Sequence, residues 1–288
     1  KAKKKLGWAP KISFEELGDD AEGFEEGDTI ELDVTDEVMS EDAADSFGRI
    51  ASQAARQVII QKIGDSEKEK IYELFDGKEG QVINMKIDMV ESGKVLFEYS
   101  GYQVVLPKSE QVSRDEYAAG GRFFIYVAEV SKNETGAPRV VLSRKRAEAI
   151  PAIFAEFVPE IGEGIITIDK VVRQAGIKTK MLVSSTFEEI DAVGTLIGQK
   201  GMRVKGVMEE IGGEKIDIIP NSGDMAEVIK KSLSPAEVIK VEVDDEEESA
   251  IAYILPSERA KAVGKNGLNV HLASSLTGYK ISIENIEG

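Results

Sequence analysis

Between Asp45 and Val58 apolar residues recur at steps of three and four, with Phe47, Ile50, Ala54 and Val58 on one stripe, which predicts a helix. Gly64 and Asp65 interrupt the stripe, and Ser66-x-x-Glu69 is a capping-box pattern that predicts a further turn or two. Such a segment serves as a solvated connector or as a partner-binding helix. Beyond it the period changes to two. Five β-branched and aromatic runs follow, Gly80–Met89, Lys94–Tyr99, Tyr102–Leu106, Arg122–Val130 and Arg139–Ser143, separated by turns such as Glu91-Ser92-Gly93 and Asn133–Gly136. Five strands in about 65 residues predict a small closed barrel of the OB type. Barrels of that type hold single-stranded nucleic acid on aromatics next to basic side chains. Alternation along Arg122–Val130 puts Phe124 and Tyr126 on one face and Phe123, Ile125 and Val127 on the other. In a half-solvated strand only one set is core, so Phe124 and Tyr126 are candidate stacking residues; Phe97 and Tyr99 raise the same issue.

From residue 148 onward a pattern occurs twice. The first copy reads as a helix (Glu148–Phe157), strands Gly164–Arg173 and Lys178–Ser184, a helix ending near Ile197, a glycine loop, a helix Met202–Ile211 and the strand EKIDII. The second reads as a helix (Met225–Leu233), strands Val238–Val243 and Ala250–Leu255, a helix from Ser257, the loop GKNG, a helix from Leu268 and the strand YKISIE. Both copies are α-β-β-α-α-β, and GEKIDI (Gly213–Ile218) aligns with GYKISI (Gly278–Ile283). The domain is duplicated.

Each copy sets Gly-x-x-Gly between two helices, in LIGQKGMRVKGV and again in AVGKNGLNVHLA. Glycines let the backbone turn where a β-carbon would clash. The next helix then presents free N–H groups, a favourable place for phosphate. Gln199 and Lys200, and Lys265 and Asn266, project from the two loops as added donors. An adjoining apolar groove would take the bases, which is the KH mode of gripping about four nucleotides. One such loop is as easily a helix C-cap; two copies in the same frame are not. Neither fits the phosphate-loop pattern G-x-x-x-x-G-K-[ST], so nucleotide hydrolysis gains no support. His271 lies one turn into the helix after GKNG, at a surface or groove position within reach of a base or phosphate.

Composition narrows the chemistry. The 288 residues include no cysteine and one histidine, which removes thiolate chemistry, disulfides and His-based relays or metal clusters. No catalytic residues, cofactor or metal are expected, and the run Asp244–Glu248 reads as a solvated turn. No apolar run nears the ~18 residues of a membrane span, and the basic start KAKKKLGWAP lacks the apolar centre of a secretory signal, so a cytoplasmic monomer is expected. The net charge of −17 argues against a polyanion partner at first sight. Its distribution reverses that. Residues 1–76 carry 10 basic and 20 acidic side chains, 77–147 carry 11 and 9, 148–222 carry 8 and 12, and 223–288 carry 7 and 12. Most of the excess acid therefore sits in front, around Glu16–Glu37, where one strand is expected at Thr29–Val34.

The stretches FGRIASQAARQVIIQKI, VVLSRKRAE, VGTLIGQKGMRVKGVMEEIGGEKIDII, SLSPAEV and AVGKNGLNVHLASSLTGYKISI occur in the order found in bacterial NusA, and the chain closely resembles that family of transcription elongation, termination and antitermination factors. The resemblance implies a multidomain α+β protein. It has a partial α/β N-terminal domain at 1–76 that binds RNA polymerase, a five-stranded OB-type (S1) barrel at 77–147, and two type II KH domains at 148–222 and 223–288. Barrel and KH pair would form one surface for single-stranded nascent RNA, without enzymatic activity. It further implies RNA contacts at Gly198, Gln199, Lys200, Gly201 and Arg203, and at Gly264, Lys265, Asn266, Gly267 and Asn269. His271 stands where the family usually has arginine, Tyr279 replaces a frequent tryptophan, and Phe124 takes a barrel position often held by arginine. Two other classes combine such domains. The accessory region of an RNA-processing exonuclease usually orders them differently, and ribosome-associated proteins are strongly basic.

Overall fold

A computed structural model of the chain describes residues 41–134 and 136–286, with side chains from Ala54 onward; the strand expected at Thr29–Val34 lies outside them. The first element is one helix, α1 (Glu41–Phe75), of 35 residues. The break expected at Gly64 does not occur. Glycine costs a helix interior only about 1 kcal/mol relative to alanine and, unlike proline, keeps its hydrogen-bond donor. Ser66 is therefore mid-helix and caps nothing, while Asp65 and Lys68 pair along the surface at 3.4 Å.

The helix as far as Leu74 and the segment Ser131–Arg139 belong to one compact unit, and the remainder from Phe75 to the other. In the first unit, Lys132 bonds Glu69 and lies 4.8 Å from the Tyr72 ring centre. In the second, Phe75 is fully buried and tilts against Tyr99 with ring centres 5.1 Å apart, while Lys78 donates to the Tyr99 hydroxyl at 2.8 Å.

The five strands are β1 (Val82–Glu91), β2 (Lys94–Tyr99), β3 (Tyr102–Leu106), β4 (Arg122–Lys132) and β5 (Pro138–Ser143). They form a nearly closed antiparallel barrel in the order β3-β2-β1-β4-β5. The period of two holds inside it. Met85, Ile87, Val95, Phe97, Leu106, Ile125 and Val127 are buried, and Phe97 meets Phe123 edge-on at 6.5 Å.

The first α-β-β-α-α-β unit comprises α2 (Ala149–Phe157), a short turn of helix α3 (Pro159–Gly162), β6 (Ile166–Gln174), β7 (Lys178–Ser185), α4 (Ala192–Ile197), α5 (Met202–Glu210) and β8 (Lys215–Pro220). Its strands run β6-β7-β8, with β7 antiparallel to β6 and parallel to β8. The second unit repeats this as α6 (Met225–Ser232), β9 (Val238–Asp244), β10 (Ser249–Ile254), α7 (Arg259–Val263), α8 (Leu268–Thr277) and β11 (Lys280–Asn285), with β10 between β9 and β11. Each has its own core, around Phe154, Met181 and Leu196 in the first and around Ile229, Ala252 and Ala273 in the second.

A third cluster joins the two units. Ile219 of β8, Val228 of α6 and Leu276 of α8 are buried together, flanked by Val172, Leu182 and Met225. At the same seam β7 sends in two lysines. Lys180 is fully buried and paired with Asp217, and the same carboxylate holds Lys178 at 2.7 Å.

Burial pulls the Lys180 ammonium down to about 8, with Asp217 opposing the shift. Between pH 8 and the ordinary lysine value of 10.5 the unfolded chain holds a proton that the folded chain has released, so this residue's contribution to stability rises with pH there. Lys180→Met removes that slope. Thermal melts of the full chain should show the wild type gaining on the variant from pH 8 to about 10; a difference that stays flat would contradict the assignment.

Candidate nucleic-acid interface

The two glycine loops have the same backbone. Gly198 and Gly264 lie at φ 71°, ψ 176° and φ 73°, ψ 174°, in a region essentially reserved for glycine. Lys200 and Asn266, third in each loop, are left-handed at φ 52° and 55°, and the closing glycines, Gly201 and Gly267, are left-handed at 76°. Three positive-φ residues in four turn the chain back within one 3₁₀ turn, Gln199–Gly201 or Lys265–Gly267. The side chains of Gln199, Lys200, Lys265 and Asn266 are left at the exposed tip. The first amides of α5 and α8 follow directly, where a helix has donors without internal acceptors. Met202, at the start of α5, is 70% exposed and sets apolar surface beside them.

Arg203 and Asn269 occupy the same place in the repeat, five residues after the first glycine. Arg203 is half-buried; its Nη1 donates to the Thr195 carbonyl at 2.9 Å and to Glu160 Oε1 at 3.0 Å. The Glu160 carboxyl is held below the usual range by its own backbone amide first and by Arg203 as well, against partial desolvation. Asn269 is 5% exposed and donates to the carbonyls of Lys261 and Ala262, both at 3.1 Å, and of Leu233 at 3.0 Å. Thr195 and Lys261 are again equivalent, three residues before the first glycine. Each side chain therefore staples the end of the helix before the loop to the start of the helix after it. Carbonyls at a helix end need donors, and Arg203 and Asn269, the two residues expected at the RNA, supply them here.

The barrel aromatics also have partners within the chain. Phe124 and Tyr126 are half-buried against the core of the first α-β-β-α-α-β unit. The Phe124 amide donates to Glu210 Oε1 at 3.0 Å. Their face packs in part against another domain of the chain. The other face is barrel interior, with Ile125 and Val127 fully buried, so each set has a packing role, which an alternation argument made for an isolated barrel did not allow. His271 is exposed on α8, in the turn after the second loop. Glu160 was missed by sequence reasoning, since nothing in Pro159–Gly162 marks it until Arg203 is seen to reach it.

Three family models match the chain: the NusA N-terminal domain over residues 9–69, the NusA-like first KH domain over 144–221 and the NusA-like second KH domain over 225–288. The last two each enclose one glycine loop. Over 258 residues the chain is 36% identical to the transcription termination/antitermination protein NusA of Thermus thermophilus, covering 89% of this chain and 66% of that protein. It is 32% identical over 273 residues to the Bacillus subtilis protein of the same name, covering 95% of this chain and 71% of the relative. The chain belongs to the NusA family. It spans only part of its relatives, down to 51% of the Rickettsia prowazekii NusA, to which it is 34% identical over 256 residues. The two α-β-β-α-α-β units are the family's KH domains, and the barrel between Val82 and Ser143 precedes them.

The loop torsions rank the glycines. A Cβ on Gly264 would lie 2.9 Å from the Asn269 backbone nitrogen, in a torsional region that costs other residues about 1–3 kcal/mol. A Cβ on Gly267 meets nothing within 4 Å, and its left-handed conformation is one that asparagine adopts. In urea denaturation Gly264→Asn should therefore cost several-fold more stability than Gly267→Asn, which should stay near or below about 1 kcal/mol. Equal costs would mean that the loop does not hold this shape in solution.

Proposed function

We propose that the chain is the RNA-binding part of a non-enzymatic, cytoplasmic transcription elongation factor, which holds single-stranded nascent RNA and modulates pausing, termination and antitermination with RNA polymerase. The observation that carries this reading is the pair of loops with matched torsions, each offering exposed polar side chains and helix-start amides at a turn whose first and last residues carry no β-carbon. Phosphates would lie against Gly198–Gly201 and Gly264–Gly267, with Gln199, Lys200, Lys265 and Asn266 adding donors and His271 one turn further along α8. The names carried by the relatives, transcription termination/antitermination proteins, support the process assigned. The assignment of RNA polymerase to an N-terminal domain rests on the family match at 9–69. Domain limits of 1–76, 77–147, 148–222 and 223–288 fit this division of labour, with the monomer as the working unit. No helix among the described residues is long and apolar enough to cross a membrane.

Electrostatics and backbone approach both predict that Gln199→Asp with Lys200→Asp weakens binding of a single-stranded RNA by about tenfold or more, because two carboxylates then face the phosphates. Circular dichroism should be unchanged, since both side chains are exposed. Fluorescence titration with an unstructured oligonucleotide checks this, and unaltered affinity would remove the clamp.

Length dependence is the second test. The KH domains share the buried cluster of Ile219, Val228 and Leu276, so the two loops are held at a fixed separation. An RNA long enough to reach both should bind much more tightly than one covering a single loop, since its second contact is intramolecular. Equal affinities would show that the loops act separately.

A further inference from the structure

The two staples differ in one respect that the duplication does not require. In the first KH domain the partners of Arg203 are local: Thr195 in α4 and Glu160 in α3. In the second, the Nδ2 of Asn269 faces three carbonyls of its own domain, but its Oδ1 accepts a hydrogen bond at 3.0 Å from the Nζ of Lys178, on β7 of the first domain. We propose that Lys178 is a positioning residue for the RNA loop of the second KH domain, so that this clamp is completed only by docking of the first. The proposal rests on the reading of the loops as RNA clamps, and it assigns their geometry to two different sources.

The chemistry of the amide group gives the reason. Asn269 is 5% exposed, so its oxygen must find a donor inside the protein. A flipped amide would set that oxygen against three carbonyl oxygens, so a single orientation satisfies the site and Lys178 fixes it. Lys178 is itself held by Asp217 at 2.7 Å, and its ammonium lies 3.5 Å from the Ser234 carbonyl of the second domain. The coupling continues into the loop. A Cβ on Gly264 would meet Asn269 Cβ at 2.7 Å, so the first glycine is packed directly on the staple. A displaced Asn269 would remove the surface on which Gly264 is packed. Lys178, Asn269 and Gly264 thus form one contiguous path from the first sheet to the second loop. The matching path in the first domain, Glu160 to Arg203 to Gly198, never leaves that domain. By linkage, RNA seated on the second loop must in turn stabilise the docked pair.

Lys178→Met tests this without stranding a charge, because Asp217 keeps Lys180. Amide hydrogen exchange on the full chain without RNA should be at least several-fold faster across Gly264–Leu268 in the variant and unchanged across Gly198–Met202; Lys178→Arg, which keeps a donor, should restore protection. Equal exchange at both loops, whether altered or not, would overturn the proposal. Binding of a short oligoadenylate RNA gives the functional arm. With the first loop disabled by Gln199→Asp and Lys200→Asp, Lys178→Met should weaken binding about tenfold. With the second disabled by Lys265→Asp and Asn266→Asp, it should change nothing. In the first background Asn269→Ala should weaken binding similarly, and the double variant should be no weaker than either single one, as for two members of one interaction. Additive losses, or the same loss in both backgrounds, would mark Lys178 as an ordinary phosphate contact and refute the positioning role. A wild-type chain that binds no RNA would remove the functional reading, while the exchange result would still decide the path from Lys178 to Gly264.

Discussion

The buried guanidinium of Arg144 fixes the barrel and the first KH domain to one another. It stands just after the last barrel strand, is almost wholly enclosed, and bonds Asp115 at 2.9 Å, the Phe124 carbonyl at 3.0 Å and the Glu210 carbonyl at 2.8 Å. Its flat face lies 5.0 Å from the Phe123 ring centre. Asp115 and Phe124 belong to the barrel side, whereas Glu210 ends α5, the helix that begins at the first glycine loop. The Arg144 carbonyl in turn accepts from Arg173, which closes a second buried pair with Glu214 at 2.9 Å. Removing one partner of such a pair costs roughly 3–5 kcal/mol, because the other charge is left without compensation. An apolar seam of the same area would allow sliding. A planar donor with five N–H groups and fixed partners on two sides allows one register. The far end of α5 is therefore tied to the barrel, and the near end carries the loop.

From that anchor the chain is built as a relay of docked units. The barrel covers the first KH domain with Phe124 and Tyr126, and the first KH domain meets the second through Ile219, Leu182, Lys178 and Lys180. Each junction uses side chains that look, in isolation, like ligand-binding groups: two aromatics on a strand and two lysines on another. Docking engages all four. Duplication preserved the loop backbone to within a few degrees at the first glycine, yet the staple was solved twice, by a long arginine with a local carboxylate and by a short asparagine with a lysine from outside.

The same facts explain what the sequence disclosed. Strands β2 and β3 and the order of all six elements in each repeat were legible, because periodicity and turn residues are local signals and tertiary packing agreed with them. The glycine loops were legible too, since two equal spacings in equal contexts leave little else that glycine pairs can do. Continuity through Gly64 was misread because a helix tolerates a residue that costs about 1 kcal/mol when the flanking turns are sound. What the sequence did not disclose at Phe124, Tyr126, Arg203 and Asn269 is their packing inside the chain. Each is the right residue type for RNA contact, and the partners it has within the chain lie in a neighbouring domain or a preceding helix, distant in sequence or unmarked in it.

The commitment of those groups bears on how a chain of net charge −17 would hold a polyanion in the proposed role. Of the eight basic side chains in residues 148–222, Arg173, Lys178, Lys180 and Arg203 are engaged with Glu214, Asp217 and Glu160. Mobile surface lysines would collect phosphates by charge alone, with affinity that falls steeply with salt. Here much of the positive charge is spent on architecture, and the groups left at the loops are oriented amides, short polar side chains and a lysine each. As the proposed clamp, such a site would reward a strand whose phosphates arrive at two places set by a rigid frame, and give little to one that does not. Rigid docking and sparse charge are thus two halves of one solution: the fewer cations a clamp offers, the more its binding depends on where its loops are held.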